Sequence, residues 1–263
     1  GLPDNPTTEM DLLLWQTAQT IRDDAASAAK FSQADAAELA NLFLRGKLPD
    51  VAQTAVSHFL TEYGMRGLAE IDFGRPRWRE QPQSILQTLQ SYLSITDAER
   101  APDAVFARSA REAERAAADL TKAARRGIGG KLKARFVAAL ARRVRLLAGY
   151  REMPKFVIIR MFGVARAALL ASGRELVAQG TLAQAEDIAF LNFAELRAIA
   201  NSERRDWQAL VAERRAINQR EQKRTQIPRL LLSDGRAFYD GMRQTEQAIQ
   251  GDAKTLAGSP VSP

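Results

Sequence analysis

The sequence predicts an all-α fold: a multi-helix domain with long helical hairpins and an irregular or extended Gly- and Arg-rich insert at about 64–82. Three observations carry this. Apolar side chains recur at helical spacing through most of the chain. Glycine and proline fall mostly at the ends of those segments. Period-two alternation, the mark of a half-buried strand, is weak outside one short run.

In order, Thr7 or Thr8 is expected to cap a helix through EMDLLLWQTAQTIRDDAASAAK, with acids early, where the helix dipole favours them. Ser32 and Asp35 resemble a capping box ahead of AELANLFLR, which Gly46 stops. PDVAQTAVSHFLTEY sets Val51, Ala55, Phe59 and Leu60 at helical spacing and ends at Gly64. After the insert, periodicity returns at SILQTLQSYLS. Pro102 opens a long Ala/Arg/Glu-rich helix, GIGG at 127–130 turns it, and KLKARFVAALARRVRLLAGYRE runs back, which reads as an antiparallel hairpin. On the returning helix Leu132, Phe136, Val137, Leu140, Val144 and Leu147 form an expected core stripe. Pro154 suits the first turn of the next helix. EDIAFL reads as a short element, and Asn192 with Glu195 caps FAELRAIA. SERRDWQALVAERRAINQREQKR reads as a charged, solvent-facing helix. After Ile227 the helical signal fades; IPRLLLSDGRAFYDG reads as extended or irregular and GDAKTLAGSPVSP as linker.

Composition excludes several chemistries. With no cysteine there are no disulfides, thiolate metal sites or cysteine nucleophiles. His58, the single histidine, lies between Ala55 and Phe59 and reads as a partly buried structural residue rather than a catalytic one. No run of 18 or more apolar residues occurs, so no membrane-spanning helix is expected. The N-terminus has no signal-peptide pattern, and a cytoplasmic location is expected. Gly1 stands where an initiator Met would, so a piece of a longer chain is expected. The net charge of +7 is concentrated: residues 122–151 carry ten basic side chains and no acid. That run reads as solvated helix faces, with a nucleic-acid surface as the alternative; aromatics interleaved for base stacking are missing. GIGGK lacks the spacing of a phosphate-binding loop and reads as a turn.

The insert GMRGLAEIDFGRPRW, residues 64–78, concentrates Gly64, Gly67 and Gly74 with Arg66, Arg75, Arg77, Glu70, Asp72 and Trp78. Glu70-Ile71-Asp72-Phe73 alternates, so an extended segment would put both carboxylates on one side and anchor itself through Ile71 and Phe73. Arginine forks suit bidentate binding of phosphate or carboxylate, glycines let backbone amides approach an anion, and Phe73 and Trp78 would wall an apolar pocket. From the residues alone two readings stand: a structural loop laced by Arg–carboxylate pairs, and an anion- or phosphoryl-handling site.

In chain order, GLPDNPTTEMDLLLW, FLTEYGMRGLAEIDFGRPRW, REMPKFVIIRMFGVARAALLASGRELVAQG, EDIAFLNFAELR and LAGSPVSP resemble the central helical domain of the phosphoenolpyruvate-synthase-like enzymes, and most closely of the rifampicin phosphotransferases. The resemblance implies a three-part enzyme: an ATP-grasp domain, a swivelling domain with a phosphorylated histidine, and a helical domain that binds the acceptor. It implies that phosphoryl passes from ATP through the phosphohistidine to a hydroxyl or enolpyruvate acceptor, such as a rifamycin or pyruvate. Residues 1–226 would be the acceptor-binding domain and 227–263 a tail and linker towards a phosphohistidine domain outside the sequence. ATP and Mg are implied for the parent enzyme, no metal or cofactor for this chain, and the chain alone is expected to be inert. By motif, Arg66 and Arg77 would stabilise the transferring phosphoryl group, and Glu70 or Asp72 would orient or deprotonate the acceptor. Met10, Leu13, Leu14 and Trp15 match the family's N-terminal helix; with Met65, Phe73 and Trp78 they would line the acceptor pocket, plain helix core being the competing reading. Ala69 departs from the family pattern, where glycine often precedes the glutamate. The expected partners are the ATP-grasp and phosphohistidine domains and a small-molecule acceptor, with no membrane and no nucleic acid. A free-standing helical binding or scaffold module is the alternative of a different class.

Overall fold

The first three helix starts are set by side-chain caps in this computed structural model, which describes residues 2, 4–223 and 228–238. Helix α1 (Pro6–Asp23) is capped by Asn5, whose side chain accepts from the amides of Thr7 and Thr8. The threonines are therefore capped rather than capping: Pro6 needs no hydrogen bond and its fixed φ fits the first turn, which moves the cap one step upstream. Asp24 caps α2 (Ala25–Gln33). Asp35, not Ser32, caps α3 (Ala36–Leu44), accepting from Glu38 N at 2.8 Å; the Ser32 hydroxyl is spent on the Ala29 carbonyl inside α2. With α4 (Asp50–Tyr63) and α5 (Gln83–Leu93) these helices enclose a core that includes Ile21, Phe31, Leu39, Val56, Phe59 and Leu86. Each such side chain contributes about 1.5–3 kcal/mol by leaving water. The buried line of α4 runs Ala52, Val56, Phe59, Leu60, Tyr63. His58 falls off that line and is exposed, against the expected partial burial.

The predicted hairpin is present. Helices α6 (Pro102–Ala124) and α7 (Gly130–Ala148) pack on each other, and left-handed Gly127 and Gly129 make the turn. The α7 stripe, however, is not core. Leu132, Phe136, Leu140, Val144 and Leu147 are exposed, and only Gly130 and Ala134 of α7 are buried. The two helices approach through small side chains, Ala117, Ala118 and Thr121 facing Ala138 and Ala141 across a shallow groove, which turns the larger apolar residues outward. Helix α6 buries no residue at all.

A single 3₁₀ turn, Gly149–Glu152, leads from α7 into α8 (Met153–Ala178), with Pro154 in its first turn as expected. Gly173 lets another 3₁₀ segment, Ala185–Phe190, lie against α8: a Cβ there would sit 2.3 Å from the Ala185 carbonyl oxygen. The Asn192–Glu195 capping box starts α9 (Phe193–Ala200). The chain divides into two compact units between Arg205 and Asp206. In the second, Asp206 caps α10 (Trp207–Gln222), and β1 (Leu230–Leu231) pairs antiparallel with β2 (Ala237–Phe238). The expected boundary at 226 and the expected linker beyond 238 lie outside the described residues. These two-residue strands are the only ones among the described residues, so the fold is all-α.

One point departs from the sequence reading. The helical run Gly130–Ala178 is long and apolar enough, by length and composition, to cross a membrane, with a mean hydropathy of 1.6 in its most apolar window. Averaging over a window tolerates an arginine that breaks an uninterrupted apolar run. Gly173→Ala is expected to overpack the α8 contact and destabilise the protein by about 1–3 kcal/mol, read as a lowered denaturant midpoint.

Candidate functional site

Where α4 stops at Gly64, residues 64–82 form a chain of turns instead of a helix. The two arms of the loop are tied by their backbones: Trp78 N donates to Arg66 O at 2.8 Å and Arg79 N to Gly64 O at 2.9 Å. Gly67 is required inside this clasp, since a Cβ would stand 2.8 Å from the Pro76 carbonyl oxygen. Ala69, at φ +54°, turns the chain back on itself.

That reversal breaks the expected alternation. Glu70 turns inward and is buried, whereas Asp72 is exposed and sits 3.9 Å from Arg75. Ile71 is 71% exposed and anchors nothing; Phe73 does pack, on Phe162 of α8 at 4.7 Å between ring centres. The physical cause is local. Arg66, four residues before Glu70, captures its carboxylate in a two-pronged pair of 3.1 and 3.2 Å, and the Gly67 amide adds a third bond at 3.3 Å.

Helix α8 supplies the rest of the cluster. Lys155 Nζ lies 3.2 Å from Glu70 Oε1 and is half exposed. Arg166, almost wholly buried, holds Glu80 with Nε at 3.0 and 3.1 Å and Nη2 at 2.7 Å, and also donates to the Phe73 carbonyl. Arg79 reaches the carbonyl of Gly163 at 3.0 Å. Gly163 allows this seat, because a Cβ there would meet the Met65 Cβ at 2.8 Å.

Arg77 lies inside the loop, fully buried, and none of its three guanidinium nitrogens has a hydrogen-bond partner among the described residues. Burial and then the nearby Arg166 cation hold its pKa below the usual range, opposed by Glu80, Glu70 and Asp72. Burial pushes the Glu70 carboxyl up, but the bonds and charge of Arg66, then Lys155 and the Gly67 amide, outweigh it and hold the pKa below the usual carboxylate range. Glu70 thus stays ionised and is a weak base. Arg66, Arg77, Lys155 and Arg166 set four cations against the two carboxylates Glu70 and Glu80, leaving the cluster positive. An uncompensated buried cation is costly, which favours an incoming anion.

The sequence-predicted residues separate into groups. Arg66, Glu70 and Arg77 come together, while Asp72 stays at the rim. Met10 joins them: Arg66 Nη1 lies 3.8 Å from its sulfur. Leu14 and Trp15 are interior, and Trp15 meets Tyr92 edge-on beneath the Arg22 guanidinium. Leu13 is partly buried against the same core. Met65, Phe73 and Trp78 are half-buried. Trp78 also borders, with Leu68 and Pro76, an open groove of about 560 Å³ against α3 and α5. Lys155, Arg166 and Glu80 were not singled out by the sequence. One signal marks Arg166: it continues the buried line Ile159, Gly163, Arg166, Gly173, a charge on an otherwise small and apolar face. Among the described residues no three His, Asp or Glu side chains converge as metal ligands.

Helical fold and positive loop cluster together describe an all-α domain with an anion-attracting loop. A profile of the rifampicin phosphotransferase fourth domain matches residues 1–152. A rifampicin phosphotransferase of Streptomyces sviceus is 30% identical over 263 residues, 99% of this chain and 29% of the relative. One of Bacillus cereus is 28% identical over 259 residues, 98% of the chain and 29% of the relative. The prodigiosin synthesizing transferase PigC of Serratia marcescens is 26% identical over 210 residues, 79% of the chain and 22% of the relative. The chain belongs to the rifampicin phosphotransferase family, and it spans about 29% of the length of those phosphotransferases.

Two outcomes test the electrostatics. Glu80→Gln leaves Arg166 buried without its counter-charge and is expected to cost about 3 kcal/mol, measured by chemical denaturation. Because the folded pKa of Glu70 is depressed, its contribution is complete above the usual carboxylate range and is lost as pH falls through the folded value. The stability gap between wild type and Glu70→Gln is therefore expected to be largest near neutral pH and to close only at pH values below the usual carboxylate range, as the folded carboxyl takes up its proton.

Proposed function

We propose that this chain is the acceptor-binding domain of an ATP-dependent phosphotransferase. In this reading a phosphoryl group reaches it on the phosphohistidine of a separate swivelling domain and passes to a hydroxyl acceptor such as a rifamycin. The observation that carries the proposal is the positive cluster around the 64–82 loop, where four cations face two carboxylates and Arg77 is unpaired. Such fixed cations stabilise the charge spread over a phosphoryl group in flight. The names of the relatives support the class of acceptor.

Each residue then has a defined part. Lys155, half exposed, meets the incoming phosphoryl group first. Arg66 and Arg77 supply positive charge behind it. Glu70, locked as a carboxylate, accepts a hydrogen bond from the acceptor hydroxyl and orients it. Both Glu70 oxygens are already engaged by cations, so the proton goes to Asp72 at the rim as the oxygen–phosphorus bond forms and the nitrogen–phosphorus bond breaks. Met10, Met65, Phe73 and Trp78 offer partly exposed apolar surface to a large acceptor; Leu14 and Trp15 support it from the core. Nucleotide and magnesium belong to a companion domain in this reading, and they supply the phosphoryl group. The chain alone is inert.

In the full-length enzyme, Arg66→Ala or Glu70→Ala is expected to lower acceptor phosphorylation at least ~100-fold while the carrier histidine is still phosphorylated by ATP. Phosphorylated histidine and product are read separately by mass spectrometry. Unimpaired acceptor turnover in both variants rejects the assignment.

A further inference from the structure

A long exposed apolar surface lies away from the loop. Along α7 and into α8, Leu132, Phe136, Leu140, Val144, Leu147, Val157, Met161 and Val164 are 45–73% exposed. Successive members are three or four residues apart within each helix, so each helix carries its set as one stripe. Through the connecting 3₁₀ turn the backbone stays right-handed and helical, so the two stripes continue one another. A run from Leu132 to Val164 covers about 48 Å at 1.5 Å per residue. The supporting hairpin is thin: α6 buries nothing, and α7 buries two small residues. A pair of helices held by small side chains and by Arg145, which donates to the Ala110 carbonyl at 3.1 Å and lies 3.7 Å from Glu114, buries little apolar surface of its own, and stripes this large are rare on soluble surfaces without a partner.

Charge narrows the choice of partner. The run 122–151 is entirely basic, so an antiparallel second copy would set like charges against each other. Arg143 stands within the α7 stripe itself, three residues after Leu140 and four before Leu147, and it is exposed with no ion pair among the described residues. A helix lying in a lipid surface keeps its charges on the flank, where they reach headgroups. A guanidinium in the middle of the apolar face instead asks for a carboxylate set at a fixed place. The relatives are about three times longer than this chain, so family members carry further polypeptide able to provide one.

We infer that the α7–α8 stripe is the docking surface for a companion domain of the same polypeptide, which presents an apolar face rimmed by carboxylates, one of them opposite Arg143. The inference goes beyond the proposed phosphoryl chemistry and does not depend on it. The test uses the full-length parent protein with the photo-crosslinker p-benzoylphenylalanine at position 136, and at exposed position 58 as the control. Peptide mapping of the monomer band is expected to give a crosslink from 136 to an acid-containing segment outside residues 1–263, at least tenfold above the control. Arg143→Glu is expected to reduce that crosslink at least tenfold while the helical circular dichroism is unchanged. Crosslinks formed mainly between two copies, no crosslink above the control, or an intramolecular crosslink indifferent to Arg143→Glu would each overturn the inference. So would co-flotation of the intact protein with phosphatidylglycerol vesicles that Phe136→Asp abolishes. Because no turnover is measured, the result is independent of whether Arg66 and Glu70 handle a phosphoryl group.

Discussion

The two-pronged ion pair between Arg166 and Glu80 is the constraint on which the site depends. The nineteen-residue loop, 64–82, clasps its own arms through backbone bonds, and α8 supplies its outside support. Arg166 anchors it twice from a rigid helix, at the Glu80 carboxylate and at the Phe73 carbonyl. Those anchors bracket Arg77, which lies between residues 73 and 80. The arginine whose guanidinium makes no bonds is thus bracketed in sequence by the loop's two anchors to Arg166. Its charge is held in place by its neighbours' bonds rather than by its own, as expected of a preorganised electrostatic site.

The same logic explains the division of labour among the carboxylates. Glu70 and Glu80 are consumed in holding cations, one from within the loop and one from α8. Asp72 is left at the rim with a loose 3.9 Å partner. Burial alone would have made Glu70 a better base; the cations around it make it a fixed anion instead. In the proposed function its contribution is therefore to position, and the proton goes to the exposed Asp72.

How much of this was legible in the sequence differs by element. The helices were legible because caps and punctuation are local: Pro102, Pro154, the GIGG turn and the Asn192–Glu195 box all act within a few residues. The Arg66–Glu70 pair was legible as a cluster of complementary charges. Its orientation was not, because Ala69 in the left-handed region reverses the chain, and alanine carries no warning of that. Lys155, Arg166 and Glu80 lay outside reach for a different reason. Lys155 and Arg166 pair with Glu70 and Glu80 across 85 and 86 positions of chain, and only the packing of α8 on the loop brings those partners together. The α7 stripe shows a further limit. Periodicity reveals that a face is apolar; it does not say what will cover it.

Lys155 and Arg166 both stand on α8, eleven residues apart, which is almost a whole number of helical turns. One rigid rod therefore presents both cations to the loop in a fixed phase. A single-residue insertion or deletion between them would swing one cation by about 100° relative to the other. The segment 155–166 should accordingly tolerate changes of residue type on its outer face far better than changes of length. A small axial rotation of α8 would move both cations together, so that a twist applied anywhere along the rod is felt at the loop.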